Sequence, residues 1–394
     1  MADMKTGLSY VLVTPYTIAK SRTGGVLSRL LSRTDLDLVG AQMFAADGAF
    51  AAAYAGALRG RSPGDQFALL ADYVGKNLAP AGGQSRRCLL LLFKGENPCE
   101  KLMGVCGQVN TGPMDVGAIS GETIRETFAD LVLDADDPGV IRHFEPAVLT
   151  ARCQRDADED LRMMADFLEG RENVVDGLAY ADGARVERTL VILKPDNWTY
   201  NSSRPGAIVD MFSRTGLRIV GVKVHRFSLA QAMEFYGPVE GAMRKKLAGE
   251  FGRRAKGLLE REFGVALGRG TLDAITESFG VDCAADEFAR LVEFMSGRRP
   301  GCPRDDVWKP GDVKCMILVY EGEDAVAKIR GALGPTDPAA APGGTVRREF
   351  GSTVMINTAH ASDSVESFER ERGVVGMDGN TLVQTIRESA AADN

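Results

Sequence analysis

The chain carries one pattern twice, at a shift of roughly 180 residues, and self-similarity of this kind fixes architecture before any local reading. Val11-Leu12-Val13-Thr14-Pro15 recurs as Val191-Ile192-Leu193-Lys194-Pro195. The run from Leu31 to Gly40 recurs as Phe212 to Gly221, sharing Ser-Arg-Thr and a closing Val-Gly. Leu92-Phe93-Lys94-Gly95-Glu96 recurs as Val319-Tyr320-Glu321-Gly322-Glu323. Gly121 to Phe128 returns less closely as Gly344 to Phe350, through Thr345-Val346-Arg347-Arg348-Glu349-Phe350. Matches in one unchanged order are hard to obtain by chance, so the chain is read as two copies of one unit.

Each unit alternates strands and helices. In the second, Arg188 to Leu193 reads as a strand. Gly206 to Arg214 reads as a helix, with Ala207, Ile208, Met211 and Phe212 on one face and Gly216 beyond its end. Leu217 to Phe227 is a second strand, and Ser228 caps a helix through Tyr236. Cys315 to Tyr320, Asp324 to Leu333 and Thr353 to Asn357 follow as strand, helix and fourth strand. The pattern predicts an α+β fold: two ferredoxin-like βαββαβ domains in tandem. The joint falls near Ala181 to Arg185, giving a first domain over 1–180 and a second over 186–394. A charged, mostly helical insertion interrupts the second at about 237–285, and Ala129 to Glu145 is an acidic extra loop in the first.

Composition narrows the function classes. Apolar residues make up 44% and charged residues 26% of 394, as in a soluble globular protein. A net charge of −7 argues against a broad nucleic-acid footprint, while leaving room for a local basic pocket. The seven cysteines show no CxxC pair or metal spacing and read as reduced thiols of a cytoplasmic protein. No signal peptide or membrane-length apolar run is expected. No G-x-x-x-x-G-K-[ST] occurs, which removes the usual P-loop kinases.

Of three histidines, His360 stands out: it follows a strand-like run and precedes a capped helix, in Asn357-Thr358-Ala359-His360-Ala361-Ser362-Asp363-Ser364-Val365-Glu366-Ser367. A neutral imidazole is a good nucleophile at physiological pH and can carry a phosphoryl group. Asp363 and Glu366 form a D-x-x-E pair expected to start the helix. His143 and His225 lack such surroundings and are read as non-catalytic. This segment, with Lys194-Pro195-Asp196 after the first strand, resembles the nucleoside diphosphate kinases. The resemblance covers 186–236 and 286–378, and more faintly 8–165.

The resemblance implies roles. His360 would be the phosphoryl carrier, Glu371 would orient its ring, and Ser362 and Asp363 would support the site. Lys194 would reach the transferred phosphate, with the Tyr236 hydroxyl beside it. Arg330 and Arg347 would grip the phosphates, Thr336 would bond distal oxygens, and Asn357 the ribose and a phosphate. Phe288 and Leu291 are candidates to stack on the base, although Glu287 is the strict positional match, and Val354 would touch its other face. Mg²⁺ would be carried by the nucleotide phosphates, with no metal site on the protein. The substrates would be ATP and other nucleoside tri- and diphosphates, and the two copies would form an intrachain pseudo-dimer, with further homo-oligomers open.

The first copy reads as inactive. Thr14 replaces the lysine, Tyr16 the aspartate and Met103 the arginine at 330. Aligning Val148 to Cys153 with Met355 to His360 puts Cys153 at the nucleophile position, while Tyr54 and Arg125 are retained. The expected activity is ping-pong transfer through phospho-His360 in the second copy. The rival is a nucleotide-binding scaffold or regulatory protein with vestigial turnover.

Overall fold

The computed structural model describes residues 6–61, 65–112, 120–137 and 139–392. The first copy comprises β1 (Thr6–Val13), α1 (Pro15–Ala19), α2 (Thr23–Arg33), β2 (Asp37–Ala45), α3 (Gly48–Arg59), α4 (Asp65–Asn77), β3 (Arg87–Glu96), α5 (Pro98–Cys106), α6 (Ile124–Phe128), β4 (Asp130–Leu133), β5 (Ile141–Glu145), β6 (Val148–Thr150) and α7 (Gln154–Leu168). The second opens with β7 (Val186–Leu193), α8 (Arg204–Ser213) and β8 (Arg218–His225). Then come α9 (Leu229–Phe263), α10 (Arg269–Ile275) and α11 (Val281–Ser296). It closes with β9 (Cys315–Glu323), α12 (Ala325–Leu333), α13 (Val346–Phe350), β10 (Ala359–Ala361), α14 (Val365–Val374) and α15 (Thr381–Ala392).

Two four-stranded sheets carry the repeat. Their orders are β2-β3-β1-β6 and β8-β9-β7-β10, the same path through equivalent strands. The pairings of β1 with β3 and β6, and of β7 with β9 and β10, are all antiparallel. Central strands read as unbroken apolar runs because both faces are covered: Leu89 to Phe93 and Cys315 to Tyr320 are buried throughout. The repeated glycine after each run has a steric cause. Gly95 and Gly322 have φ of 158° and 153°, and a Cβ there would stand 2.7 Å from Cδ2 of Leu36 and Leu217 respectively.

By packing, the chain divides into two compact units, one holding both sheets and the other spanning His225–Cys315. In the first unit one apolar core runs through both copies, joining Val11, Val13, Leu27 and Leu30 to Val191, Leu193, Ile208 and Phe212. Helix α2 packs on α8, the matching element of the other copy. They approach so closely that a side chain at Gly24 or Gly206 would overlap the other glycine's carbonyl oxygen. The terminal helix α15 crosses over: Leu382, Val383 and Ile386 are buried in the core behind the first sheet. Burying side chains of this size is worth roughly 1.5–3 kcal/mol each, so α15 ties the end of the second copy to the first.

Four expectations change. Thr353 to Asn357 is a bend rather than a strand, and the fourth strand is Ala359–Ala361 with His360 at its centre. The cause is Thr358, fully buried at φ 77°, which breaks extended structure just before that strand. The stretch from Ala129 to Glu145 is a hairpin of β4 and β5, not an open loop. The helix capped by Ser228 and Gln231 does not stop at Tyr236 but continues through Pro238 to Phe263. Helix α14 starts at Val365 with Ser364 as its cap, accepting from Ser367 N at 3.1 Å; the Asp363–Glu366 pair does not cap it.

Candidate active site

The site assembles where β7 ends and β10 runs beside it. Ala359, His360 and Ala361 pair with Leu193, Ile192 and Val191. Below the ring, α14 brings Glu371 two turns beyond its cap. Glu371 Oε2 lies 3.0 Å from His360 Nε2 and accepts from Ser362 Oγ at 2.7 Å. Glu371 and Ser362 are buried, whereas the His360 side chain keeps 23% of its surface exposed. A ring held through Nε2 presents Nδ1 on its other edge for chemistry. The hydroxyl of Ser362 cannot turn away without loss, because its oxygen also takes the Leu190 amide at 3.3 Å.

A second group converges from three loops. Lys194, buried at the end of β7, donates from Nζ to Asn357 Oδ1 at 2.7 Å. The Asn357 amide donates to the carbonyls of Thr336 at 3.0 Å and Val354 at 2.8 Å. Thus Lys194, Thr336, Val354 and Asn357 are brought together, with Val354 exposed. Asp363 is held below the usual carboxylate range, chiefly by the Ser367 hydroxyl, with the charges of Arg330 and His360 adding to it. Arg330 itself is exposed near the end of α12.

Arg347, expected to grip phosphates, is bonded to backbone carbonyls. Its Nη1 donates to Gly334 O and its Nη2 to Ala359 O, both at 3.0 Å, so it braces β10 against the end of α12. Arg125 makes the same brace in the first copy, to Gly107 O and, at 3.0 Å, to Val148 O. The arginine common to both copies therefore has a structural role in each.

Two residues escaped sequence reasoning. Arg204 Nη2 donates to Asp196 Oδ2 at 2.8 Å, to Phe350 O at 2.8 Å and to Thr358 Oγ1 at 3.0 Å. Asn197 donates to Thr358 O at 2.7 Å and to Lys194 O at 3.0 Å. Together they clamp the left-handed Thr358 between Lys194 and His360. Burial raises the Asp196 carboxyl, with Arg204 and then Lys194 opposing. The only sequence signal was an Arg-Pro pair opening a helix soon after Lys-Pro-Asp.

Tyr236, Phe288 and Leu291 lie in the His225–Cys315 unit. Phe288 is 4% exposed on the apolar face of α11, so its ring fills a core and has little face to offer a base. Leu291 beside it is half-buried, and Tyr236 packs against Phe235 with ring centres 5.1 Å apart. His143 sits on the β4–β5 hairpin, edge-on to Tyr16, and His225 lies against Phe227.

Strand register corrects the reading of the first copy. Val13 pairs with Val148 as Leu193 pairs with Ala359, and Thr14 N donates to Ala147 O as Lys194 N does to Thr358 O. Ala147 repeats the left-handed backbone of Thr358, with φ 62°. Leu149, 2% exposed, therefore holds the position of His360. Cys153 corresponds instead to Ser364, as the N-cap of α7. Counting from the caps Asp47 and Ser228, Tyr54 matches Phe235 rather than Tyr236.

A family model described as nucleoside diphosphate kinase matches residues 187–246 and 308–375. A nucleoside diphosphate kinase of Halorhodospira halophila is 33% identical over 186 residues, covering 47% of this chain and 89% of that protein. The chain belongs to the nucleoside diphosphate kinase family. A nucleoside diphosphate kinase of Cereibacter sphaeroides is 31% identical over 186 residues, covering 47% of this chain and 90% of its own length. A solved NDP kinase from Pyrobaculum aerophilum is 27% identical, covers 48% of this chain and 94% of its own, and has a TM-score of 0.33. The matched segments carry every residue of the His360 constellation and bracket an unmatched stretch over 247–307. Phe288 and Leu291 lie in that unmatched stretch. Among the described residues, no three or more His, Cys, Asp or Glu side chains are grouped to hold a metal ion, and no helix is long and apolar enough to cross a membrane.

Proposed function

We propose that the copy over 186–394 is a working nucleoside diphosphate kinase and that the copy over 1–180 is catalytically inactive. The observation that carries this reading is an imidazole bonded to the Glu371 carboxylate through Nε2, on a strand paired with the one that leads into Lys194. In the first half-reaction the Nδ1 lone pair attacks the γ-phosphorus of a nucleoside triphosphate. The bond to the β-phosphate oxygen breaks, and the diphosphate leaves with that electron pair. The ring gains positive charge, which the Glu371 carboxylate opposes. In the second half-reaction a terminal oxygen of another diphosphate attacks the phosphorus, and the P–N bond returns its electrons to the ring. Such transfer is mainly positioning and neutralisation of oxygen charge, the task of Lys194, Arg330 and Asn357. Mg²⁺ would arrive on the nucleotide's own phosphates and supply part of that neutralisation. Tyr236 is proposed to reach the phosphates when nucleotide is bound, and Thr336 to bond them through its hydroxyl. The close pairing of α2 with α8 supports an intrachain pseudo-dimer.

Incubation with γ-labelled ATP and Mg²⁺ tests the reading. An acid-labile, alkali-stable label is expected on the protein, removed by GDP or CDP and absent from His360→Ala. A His360→Ala chain that labels and turns over normally would refute the site. A native chain that binds nucleotide without labelling would favour the scaffold reading instead.

A further inference from the structure

A cavity of about 600 Å³ opens between the two copies within the unit that holds both sheets, and none of its lining residues belongs to the His360 site. Its volume falls in the range of small-molecule sites. One wall comes from the first copy, with Arg86 and Arg87 at the start of β3, and the other from the second, with Arg218 at the start of β8. We propose that this cavity binds a small phosphate-bearing anion, with Arg86, Arg87 and Arg218 as its cationic wall.

Three observations support the assignment. The guanidinium groups are held in place: Arg87 Nη1 donates to Ile219 O at 2.7 Å, and Arg218 Nη1 to Ala179 O at 2.7 Å. Arg218 also stacks 4.3 Å above the Tyr180 ring. An arginine fixed by one or two bonds keeps its other N–H groups in a fork suited to phosphate oxygens. Second, the positive charge is poorly compensated. Burial, and then the like charge of Arg218, bring Arg87 down to about 10, with Tyr180 and Glu321 only partly offsetting them. Glu321 is already engaged by Arg188 at 2.7 Å and by the Tyr180 hydroxyl at 2.9 Å. Third, the wall carries three guanidinium groups, Arg86, Arg87 and Arg218, against a single carboxylate, Glu145, whose carboxyl is raised by burial although Tyr73 and His143 oppose the shift. An anion between Arg87 and Arg218 would relieve the repulsion that the two copies create by meeting there.

Inorganic pyrophosphate, titrated calorimetrically into the full chain without Mg²⁺, is the probe. Arg218→Gln is expected to weaken binding at one site by about tenfold or more, the loss typical of one charge-assisted contact, while His360 still labels from ATP. Arg86→Gln, which leaves the Arg87 and Arg218 carbonyl bonds intact, should weaken the same site. A parallel titration with AMP separates the sources: tighter binding than pyrophosphate assigns a nucleotide, weaker binding an inorganic phosphate. Pyrophosphate affinity unchanged in both arginine variants, or no binding to the native chain, would overturn the proposal. Loss of His360 labelling in the native chain, with pyrophosphate binding intact, would count against the kinase reading alone.

Discussion

Replacing Glu371 with glutamine separates an imidazole held for chemistry from one that is merely packed. The native carboxylate accepts from Ser362 Oγ at 2.7 Å and lies 3.0 Å from His360 Nε2, almost wholly out of solvent. Glutamine keeps the shape and one acceptor oxygen, so the strand, the cap of α14 and the Ser362 contact persist. What it removes is the negative charge facing a ring that becomes cationic as Nδ1 takes a phosphoryl group. With an effective dielectric of about 20, opposite unit charges at this separation attract by roughly 5 kcal/mol. Part of that is present before reaction, since a neutral ring N–H also bonds the carboxylate. The net loss is then about 1.5–3 kcal/mol, the usual worth of a hydrogen bond to a charged group, or about 10- to 150-fold in rate. Rapid-quench single turnovers with γ-labelled ATP measure it directly. Labelling of His360 should slow by that factor while nucleotide affinity holds. Ser362→Ala, which removes one neutral donor, should slow labelling less. A Glu371→Gln chain that labels within a factor of about two of the native rate would refute the idea that the carboxylate acts on the reacting ring.

Three further outcomes follow from the geometry. Cys153 is the N-cap of α7 and makes no side-chain cap bond, so Cys153→Ser should raise unfolding free energy by about 0.5–1 kcal/mol in urea melts and leave turnover unchanged. Lys223 is buried, donates to Val375 O and Gly376 O at 2.8 Å each, and is brought by burial from 10.5 to about 8. The unfolded chain therefore binds more protons between pH 8 and 10.5, and stability referenced to Lys223→Gln should rise with pH across that window, by at most about 3 kcal/mol; a flat difference in urea melts at pH 7.5 and 10 would contradict it. Leu149→His in a His360→Ala background should carry no acid-labile label, because Thr14 stands where Lys194 would be needed.

Much of this was legible in the sequence because repeats and helix offsets are counted along the chain. The four repeated segments led to two sheets of one strand order, and the eleven-residue step from His360 to Glu371 does bring carboxylate and ring together. What the sequence did not carry was register across a gap. The runs around Val148–Ala151 and Met355–Ala361 are both apolar, and sliding one against the other by four residues leaves each looking like a strand. Only the bonds Thr14 N to Ala147 O and Lys194 N to Thr358 O fix the alignment. Neither alanine nor threonine announces a left-handed backbone, so Thr353 to Asn357 kept the composition of a strand without becoming one. Arg347 shows a related limit: a guanidinium donates equally well to phosphate and to carbonyl oxygen, and its aim is a property of the fold.

The first copy keeps the scaffold with other residues at the His360 position. Its counterpart to Glu371, eleven residues after Leu149, is Asp160, so a carboxylate survives where the imidazole does not. Asp160 is fully buried; it accepts from the Tyr10 hydroxyl at 2.6 Å and pairs with Arg61, and Tyr10 in turn bonds the Tyr54 hydroxyl at 2.8 Å. Burial raises the Asp160 carboxyl, and Arg61 and Tyr10 oppose that shift. A buried carboxylate left without partners costs several kcal/mol, so replacing the histidine by leucine demanded a new donor, and the phenol and guanidinium supply it. On that face of the sheet α15 buries Leu382, Val383 and Ile386 beside Tyr10 and Leu149, while the opposite face packs through α2 onto α8. The imidazole is present in one copy only, whereas the shared core draws on both.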